Sequence, residues 1–345
     1  MIWLSWRQFR AQAVTAAAIL VALAIALGAT GPHLASLYDS AGLTTCHASC
    51  GQLAASFLTS INNGGYSIVF YGGIVVLYLA PAMIGIFWGA PLVSREIESG
   101  TVRLAWNQSV PRSRWIAIKL AVVGLAAVAT AGLITVMVSW WASPLDHALN
   151  LGSGGSSSHF SRISALVFDA RGVVPLGYAA FAFALGVAAG VVLRRTLPAM
   201  AVTLVLFAAV QLLVPSFVRP HLISPATATA PINIGTAGIE VTSNGTSSGV
   251  ITVTGNFSVP GAWMLSERSI LPDGQPFSAA APGICLGSNF QPCITWLTGL
   301  HLRERATYQP ASRFWPLQWL ELGIYLILTA GLGGLCVWQV RRRRA

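Results

Sequence analysis

Six stretches of this chain, near residues 12–31, 67–93, 117–142, 173–193, 197–218 and 317–339, are long and apolar enough to cross a lipid bilayer. A hydrocarbon core takes about 20 helical residues, because each advances the helix by only about 1.5 Å. Charged residues make up 9% of the chain and hydrophobic ones 54%. An ordinary soluble domain carries roughly 25% charged residues, so a water-facing surface cannot be assembled from this composition. The expected fold class is all-α integral membrane, with six transmembrane helices. The first apolar run outlasts the about 7–15 residues of a signal peptide and ends in no clear small-x-small cleavage site, so it is expected to stay attached.

The basic residues set an orientation. With the N-terminus inside, Arg7, Arg10, Arg95, Arg103, Arg112, Arg114, Lys119, Arg194, Arg195 and Arg341 through Arg344 are cytoplasmic, thirteen of the twenty, opposed only by Glu96 and Glu98. The remaining seven share much longer outer loops with eight acids, which is the positive-inside pattern and places both termini in the cytoplasm. The formal net charge of +10 then reports orientation. The terminal arginines read as an anchor at anionic headgroups rather than a nucleic-acid site.

The chain divides into an N-terminal cytoplasmic or interfacial segment (1–11), helices 1–5 (12–218) with a polar cytoplasmic segment at 94–116, an outer loop domain (219–316), and helix 6 with a basic tail (317–345). Within the outer loop, alternating branched residues around Asn244-Gly245 predict a β-hairpin, and the stretch from Cys293 looks partly helical. The loop is rich in Gly, Ser and Pro, so it is expected to cap the helices rather than bury a large core of its own. Residues 152–158 read as a flexible linker.

Cys46 and Cys50 lie in the first outer loop, Cys285 and Cys293 in the last, where an oxidising compartment permits disulfides. Local pairs Cys46–Cys50 and Cys285–Cys293 are preferred among three connectivities. In an alternative, the Cys46-His47-Ala48-Ser49-Cys50 run contributes to a zinc site, with His33 a distant further ligand. No metal is assigned.

Several chemistries lack their residues. The single lysine, Lys119, follows no glycine-rich run, so there is no phosphate loop; no HExxH motif is present, and no enzyme is expected. The span centres hold almost no ionisable groups, against a proton-driven carrier. Glu321, about one turn into helix 6, is the exception, and is read as an interfacial residue favoured by the helix dipole in preference to a proton relay.

The segment SREIESGTVRLAWNQSVPRSRWIAIK is dense in charge within a chain that avoids it. It reads either as a basic connector or, with Val102, Ala105, Trp106 and Ser109 on one face, as a docking surface. A glutamate pair (Glu96, Glu98), then Gly100-Thr101, with Arg103 and Trp106 following, and Pro111 and Arg114 leading into a span, resembles the coupling segment of ABC-2 type transporter permeases. MIWLSWRQFRAQ at the start and YQPASRFWPLQWLE before the last span resemble an actinobacterial branch of that family.

The resemblance implies an exporter half, paired with a second permease copy or relative and with a separate ATP-binding cassette subunit in the bacterial plasma membrane. ATP and Mg2+ would belong to that partner, and no cofactor to this chain. Trp3, Trp6, Arg7 and Arg10 would correspond to an amphipathic helix at the inner interface, or extend the first span. An amphiphilic or hydrophobic substrate suits an apolar pathway. The competing readings are a membrane-anchored sensor or assembly protein that binds a ligand through its outer loop, and a secondary carrier or membrane enzyme.

Overall fold

The structure, a computed structural model, describes residues 2–47, 50–98, 112–151, 161–243, 249–257, 259–286 and 289–342. Among these, six helical spans are long and apolar enough to cross a membrane: Arg10–Ser40, Tyr66–Glu98, Ile116–Leu151, Val174–Leu193, Thr196–Leu222 and Ala311–Arg342, numbered here 1 to 6. Span 1 belongs to an unbroken helix, Ile2–Ser40. Residues 2–11 are therefore continuous with it and form no separate element. The interfacial roles expected of Trp3, Trp6 and Arg7 concern side chains outside the described ones, whereas Arg10 is exposed.

Span 4 is the axis of the bundle. Of its most apolar 18-residue window 83% is buried, against 6% for span 1. Small residues make this possible. Gly85 and Gly89 of span 2 face Gly186 and Gly190 of span 4, two GxxxG spacings that let the backbones touch; a Cβ at Gly186 would lie 2.2 Å from the Gly85 carbonyl oxygen. Span 2 widens into a π-helical turn over Ile84–Gly89, just after Pro81. The proline supplies no N–H and crowds the preceding turn, a recognised cause of such departures. Span 5 repeats the combination, with Pro215 inside the π-helical turn Val214–Val218.

Between spans 1 and 2 the chain forms a further helix, Gly51–Asn63, in what reads as a plain loop from hydropathy alone. Its Ala54, Phe57 and Ile61 are buried at helical spacing against a core that includes Leu34, Phe70, Val138 and Trp141. Trp141 Nε1 donates to Thr30 Oγ1 at 2.8 Å, which joins span 3 to span 1.

Residues 223–310 carry two antiparallel three-stranded sheets, ordered β1-β6-β4 and β2-β3-β5. Their strands are β1 (Ala226–Pro231), β2 (Gly238–Ser243), β3 (Gly249–Thr254), β4 (Trp263–Ile270), β5 (Ala279–Ala280) and β6 (Arg303–Gln309). The expected hairpin is β2 with β3, in register from Gly238↔Thr254 to Ser243↔Gly249; residues 244–248 lie outside the described ones. Helix Gln291–Gly299 follows, as the sequence suggested in part.

This unit has more than a capping role, because Ile234, Ile251, Val253, Cys285, Cys293, Leu297 and Leu302 form a core of its own. Two buried cysteines offset the scarcity of large apolar residues by cross-linking that core. Both expected disulfides, Cys46–Cys50 and Cys285–Cys293, are formed. The first consumes both thiols of the alternative zinc site, and bridged sulfurs do not ligate zinc as thiolates do.

Closing so short a loop as Cys285–Cys293, eight residues apart, is worth about 2.5 kcal/mol by chain entropy. Reduction should therefore lower the thermal stability of residues 223–310 before that of the spans. Hydrogen exchange with and without reductant would show it; unchanged protection of β2 and β3 after reduction would rule the staple out.

Strands β1 and β6 continue directly from span 5 and into span 6. Their pairing, Ala226↔Tyr308 through Pro231↔Arg303, thus fixes the separation of those spans at the sheet-bearing end. Gln309 Nε2 adds a bond of 2.7 Å to the Ile223 carbonyl, and Ser161 Oγ one of 2.6 Å to the Gly261 carbonyl.

Candidate functional site

At the end of the bundle opposite the sheets, span 2 closes with helix Pro91–Glu98, the last described residues before 99–111. Gly100, Thr101, Arg103, Trp106 and Pro111 lie outside the described residues; Arg114 is exposed at the start of the next helix. Glu96 and Glu98 each have a partner within the bundle. Glu96 pairs with Lys119 of span 3, which is itself buried. Glu98 accepts two bonds from Thr196, 2.9 Å from the backbone N–H and 2.6 Å from Oγ1. Thr196 opens span 5, so this carboxylate satisfies one of the amides that a helix start leaves without a partner, on the favourable side of the helix dipole. The polar segment is thereby anchored to spans 2, 3 and 5 at once.

Above this tie lies a groove of about 860 Å³ between spans 1, 2 and 5. Ile19, Leu79, Met83 and Phe87 line it, each close to half exposed or more, so it opens sideways on the lipid-facing surface. Gln12 closes one side by donating from Nε2 to the Phe87 carbonyl at 2.9 Å, within the π-helical turn. The polar end of the groove consists of Arg95, Glu98 and Thr196. An apolar body with a polar head matches that lining.

At the sheet-bearing end sits a buried ionic cluster. Arg219, in span 5, is fully buried, and its guanidinium binds Glu321 of span 6 in two places, Nε to Oε2 at 2.8 Å and Nη2 to Oε1 at 3.0 Å. Nη2 also pairs with Asp169, from the connection between spans 3 and 4. The Arg219 guanidinium lies 4.2 Å from the centre of the Phe168 ring, a cation–π contact. Tyr178 OH stands 2.7 Å from both Asp169 Oδ1 and Glu321 Oε1. Burial pushes the Asp169 carboxyl up to about 6, with Arg219 opposing and Glu321 reinforcing the shift.

Glu321 is thus no headgroup-facing residue, because an arginine and a tyrosine hold it inside. Gln318, one turn earlier, accepts from the Val173 and Val174 amides at 2.9 Å and donates to the Phe168 carbonyl at 3.1 Å. It clamps the connection that carries Asp169. Gly172, at φ +68°, approaches Gln318 so closely that a Cβ there would lie 2.6 Å from Oε1.

Six spans with a lateral groove define a multi-pass membrane protein. A sequence profile described as ABC-2 membrane transporter related matches residues 17–219, and over that majority of its length the chain belongs to that family. It is a transporter permease, a class of domain that is not itself catalytic. The match begins within span 1 and ends at Arg219 near the end of span 5, so β1–β6 and span 6 lie beyond it. Comparison with curated proteins and with solved structures returned no match.

Proposed function

We propose that this chain is the membrane subunit of an ATP-driven exporter that moves an amphiphile, using ATP and Mg2+ bound by a separate ATP-binding cassette subunit. Two permease copies, or this chain and a relative, complete the pathway. Both termini and residues 99–111 face the cytoplasm of a bacterial cell, and the sheet-bearing unit faces outward, a placement that the distribution of arginine supports.

One observation carries the reading beyond the family. Arg95, Glu98 and Thr196 form the polar end of the groove, and Glu98 and Thr196 are also the pair that ties helix Pro91–Glu98 to span 5. A head group seated there alters the same bonds that hold helix Pro91–Glu98, which leads into residues 99–111, so substrate and ATPase act on one junction. Gly100, Thr101, Arg103, Trp106, Pro111 and Arg114 then form the docking surface, while Glu96 and Glu98 are the hinge pins behind it.

The test uses the full permease with its ATPase in lipid. Glu98→Gln combined with Thr196→Val is expected to preserve co-purification but reduce amphiphile stimulation of ATP hydrolysis about fivefold or more, the scale of an ordinary coupling free energy. Gly100→Trp should instead reduce co-purification. Full stimulation in the double variant would remove the junction from the mechanism. A proton-driven carrier is the second reading, favoured by the buried Asp169–Arg219–Glu321 cluster. Transport that survives ATP depletion and stops with a protonophore would select it.

A further inference from the structure

The ionic cluster contains one cation and two acids, and all three side chains are fully buried. With every group ionised it holds one uncompensated negative charge away from water, a state that costs several kcal/mol and is ordinarily relieved by taking up a proton.

Hydrogen-bond stoichiometry points the same way. Tyr178 has one hydroxyl hydrogen and two carboxyl oxygens at 2.7 Å. It can donate to one; the other contact needs a hydrogen on the carboxyl, donated to the tyrosine oxygen. Tyr78 repeats the shortage, with its hydroxyl 3.1 Å from Asp169 Oδ2 and 3.0 Å from the Leu166 carbonyl. Two hydroxyl hydrogens face four acceptors, while Arg219 Nη2 also donates to the Tyr178 oxygen at 3.3 Å. The groups facing this site are Tyr78 from span 2, Tyr178 from span 4, Arg219 from span 5, Glu321 and Tyr325 from span 6, and Asp169 itself. Nearby Arg171 is engaged with Asp146 at 3.4 Å, and Arg162 lies over the Phe314 ring.

We infer that Asp169, Tyr178 and Glu321 form a proton-binding site, in which one proton, shared by the two carboxyl groups through the tyrosine hydroxyl, latches spans 2, 4, 5 and 6 together at the sheet-bearing end. In one arrangement Glu321 Oε1–H donates to Tyr178, which donates to Asp169 Oδ1; in the other both donations reverse. The interchange moves two hydrogens and carries the negative charge from Asp169 to Glu321, leaving the total charge of the cluster unchanged. Parting the spans admits water, removes the penalty on the second carboxylate and releases the proton. The ligand is a proton, distinct from the transported amphiphile.

A carboxyl kept protonated by burial contributes its stabilisation fully below the ordinary aspartate value of about 4. That contribution is lost as pH rises through about 6. Acid therefore favours the latched form.

Infrared spectra of the full-length protein in lipid nanodiscs read the proton directly. Wild type is expected to show a protonated-carboxyl C=O band that persists at about pH 5, where exposed carboxylates are ionised, and disappears towards alkaline pH. Asp169→Asn or Glu321→Gln should remove it and flatten the dependence of melting temperature on pH. Tyr178→Phe, which deletes a single hydroxyl, should shift the band and so serves if the other two variants fail to fold. Absence of the band in wild type, or a band unmoved by Tyr178→Phe, would overturn the proposal. Neither result depends on ATPase coupling, so failure here leaves the exporter reading intact.

Discussion

Arg219→Gln is expected to lower the stability of the folded protein by about 3–5 kcal/mol, the range for removing one partner of a buried ion pair. The cost comes from what remains. Asp169 and Glu321 would face each other across Tyr178 with no cation between them, in a site from which water is excluded. Protonating both carboxyls relieves the repulsion, so the deficit should be smallest in acid and grow with pH. Adding Asp169→Asn and Glu321→Gln removes the charge but keeps hydrogen-bonding groups in place, and should recover much of the loss. Thermal unfolding of the solubilised variants measures all of this. An Arg219→Gln protein as stable as wild type at alkaline pH would mean that the cluster is hydrated.

Arg219 also shows where sequence reading reaches its limit. Hydropathy places the end of the fifth span near residue 218, because a charged side chain ordinarily marks the boundary. The span instead continues to Leu222 and takes Arg219 inside, since compensating carboxylates arrive from positions 50 and 102 residues away. No local pattern encodes that meeting. For the same reason Glu321 reads as interfacial until its partner is known. Glu98 reads as available for docking until Thr196, 98 residues on, is found against it.

What was legible rests on local physics. The six spans follow from runs of apolar residues, the β2–β3 hairpin from period-two alternation, and the two disulfides from short spacing in one compartment. Helix Gly51–Asn63 carried a usable signal in Ala54, Phe57 and Ile61, three positions on one helical face, but it is too short to cross a membrane and so falls outside a search for spans. The small core around Ile251 and Leu297 was hidden by its loop-like composition, because the cross-link Cys285–Cys293 substitutes for bulk.

Gly186→Leu is expected to have the other large effect, through backbone contact rather than charge. A Cβ at Gly186 would stand 2.2 Å from the Gly85 oxygen and 2.8 Å from the Ala90 nitrogen, and one at Gly190 would meet the Ala90 oxygen at 2.5 Å. Side chains in an overfilled core can change rotamer, which holds the usual cost to about 1–3 kcal/mol. Here the obstacle is the main chain of another span, so spans 2 and 4 must separate. Helix Pro91–Glu98 starts directly after Ala90, and its position against Thr196 depends on that contact. Gly186→Leu should therefore lose both folded yield and the Glu98–Thr196 junction, detectable as greater protease sensitivity near residue 98 in whatever protein reaches the membrane. Gly331→Leu in span 6 is the control, because nothing lies within 4 Å of a Cβ there, and it adds the same apolar bulk to a lipid-compatible helix. If the two variants fold equally well, the close approach of spans 2 and 4 is not what holds helix Pro91–Glu98 in place. If Gly186→Leu alone fails, the two GxxxG spacings set the position of helix Pro91–Glu98 against span 5.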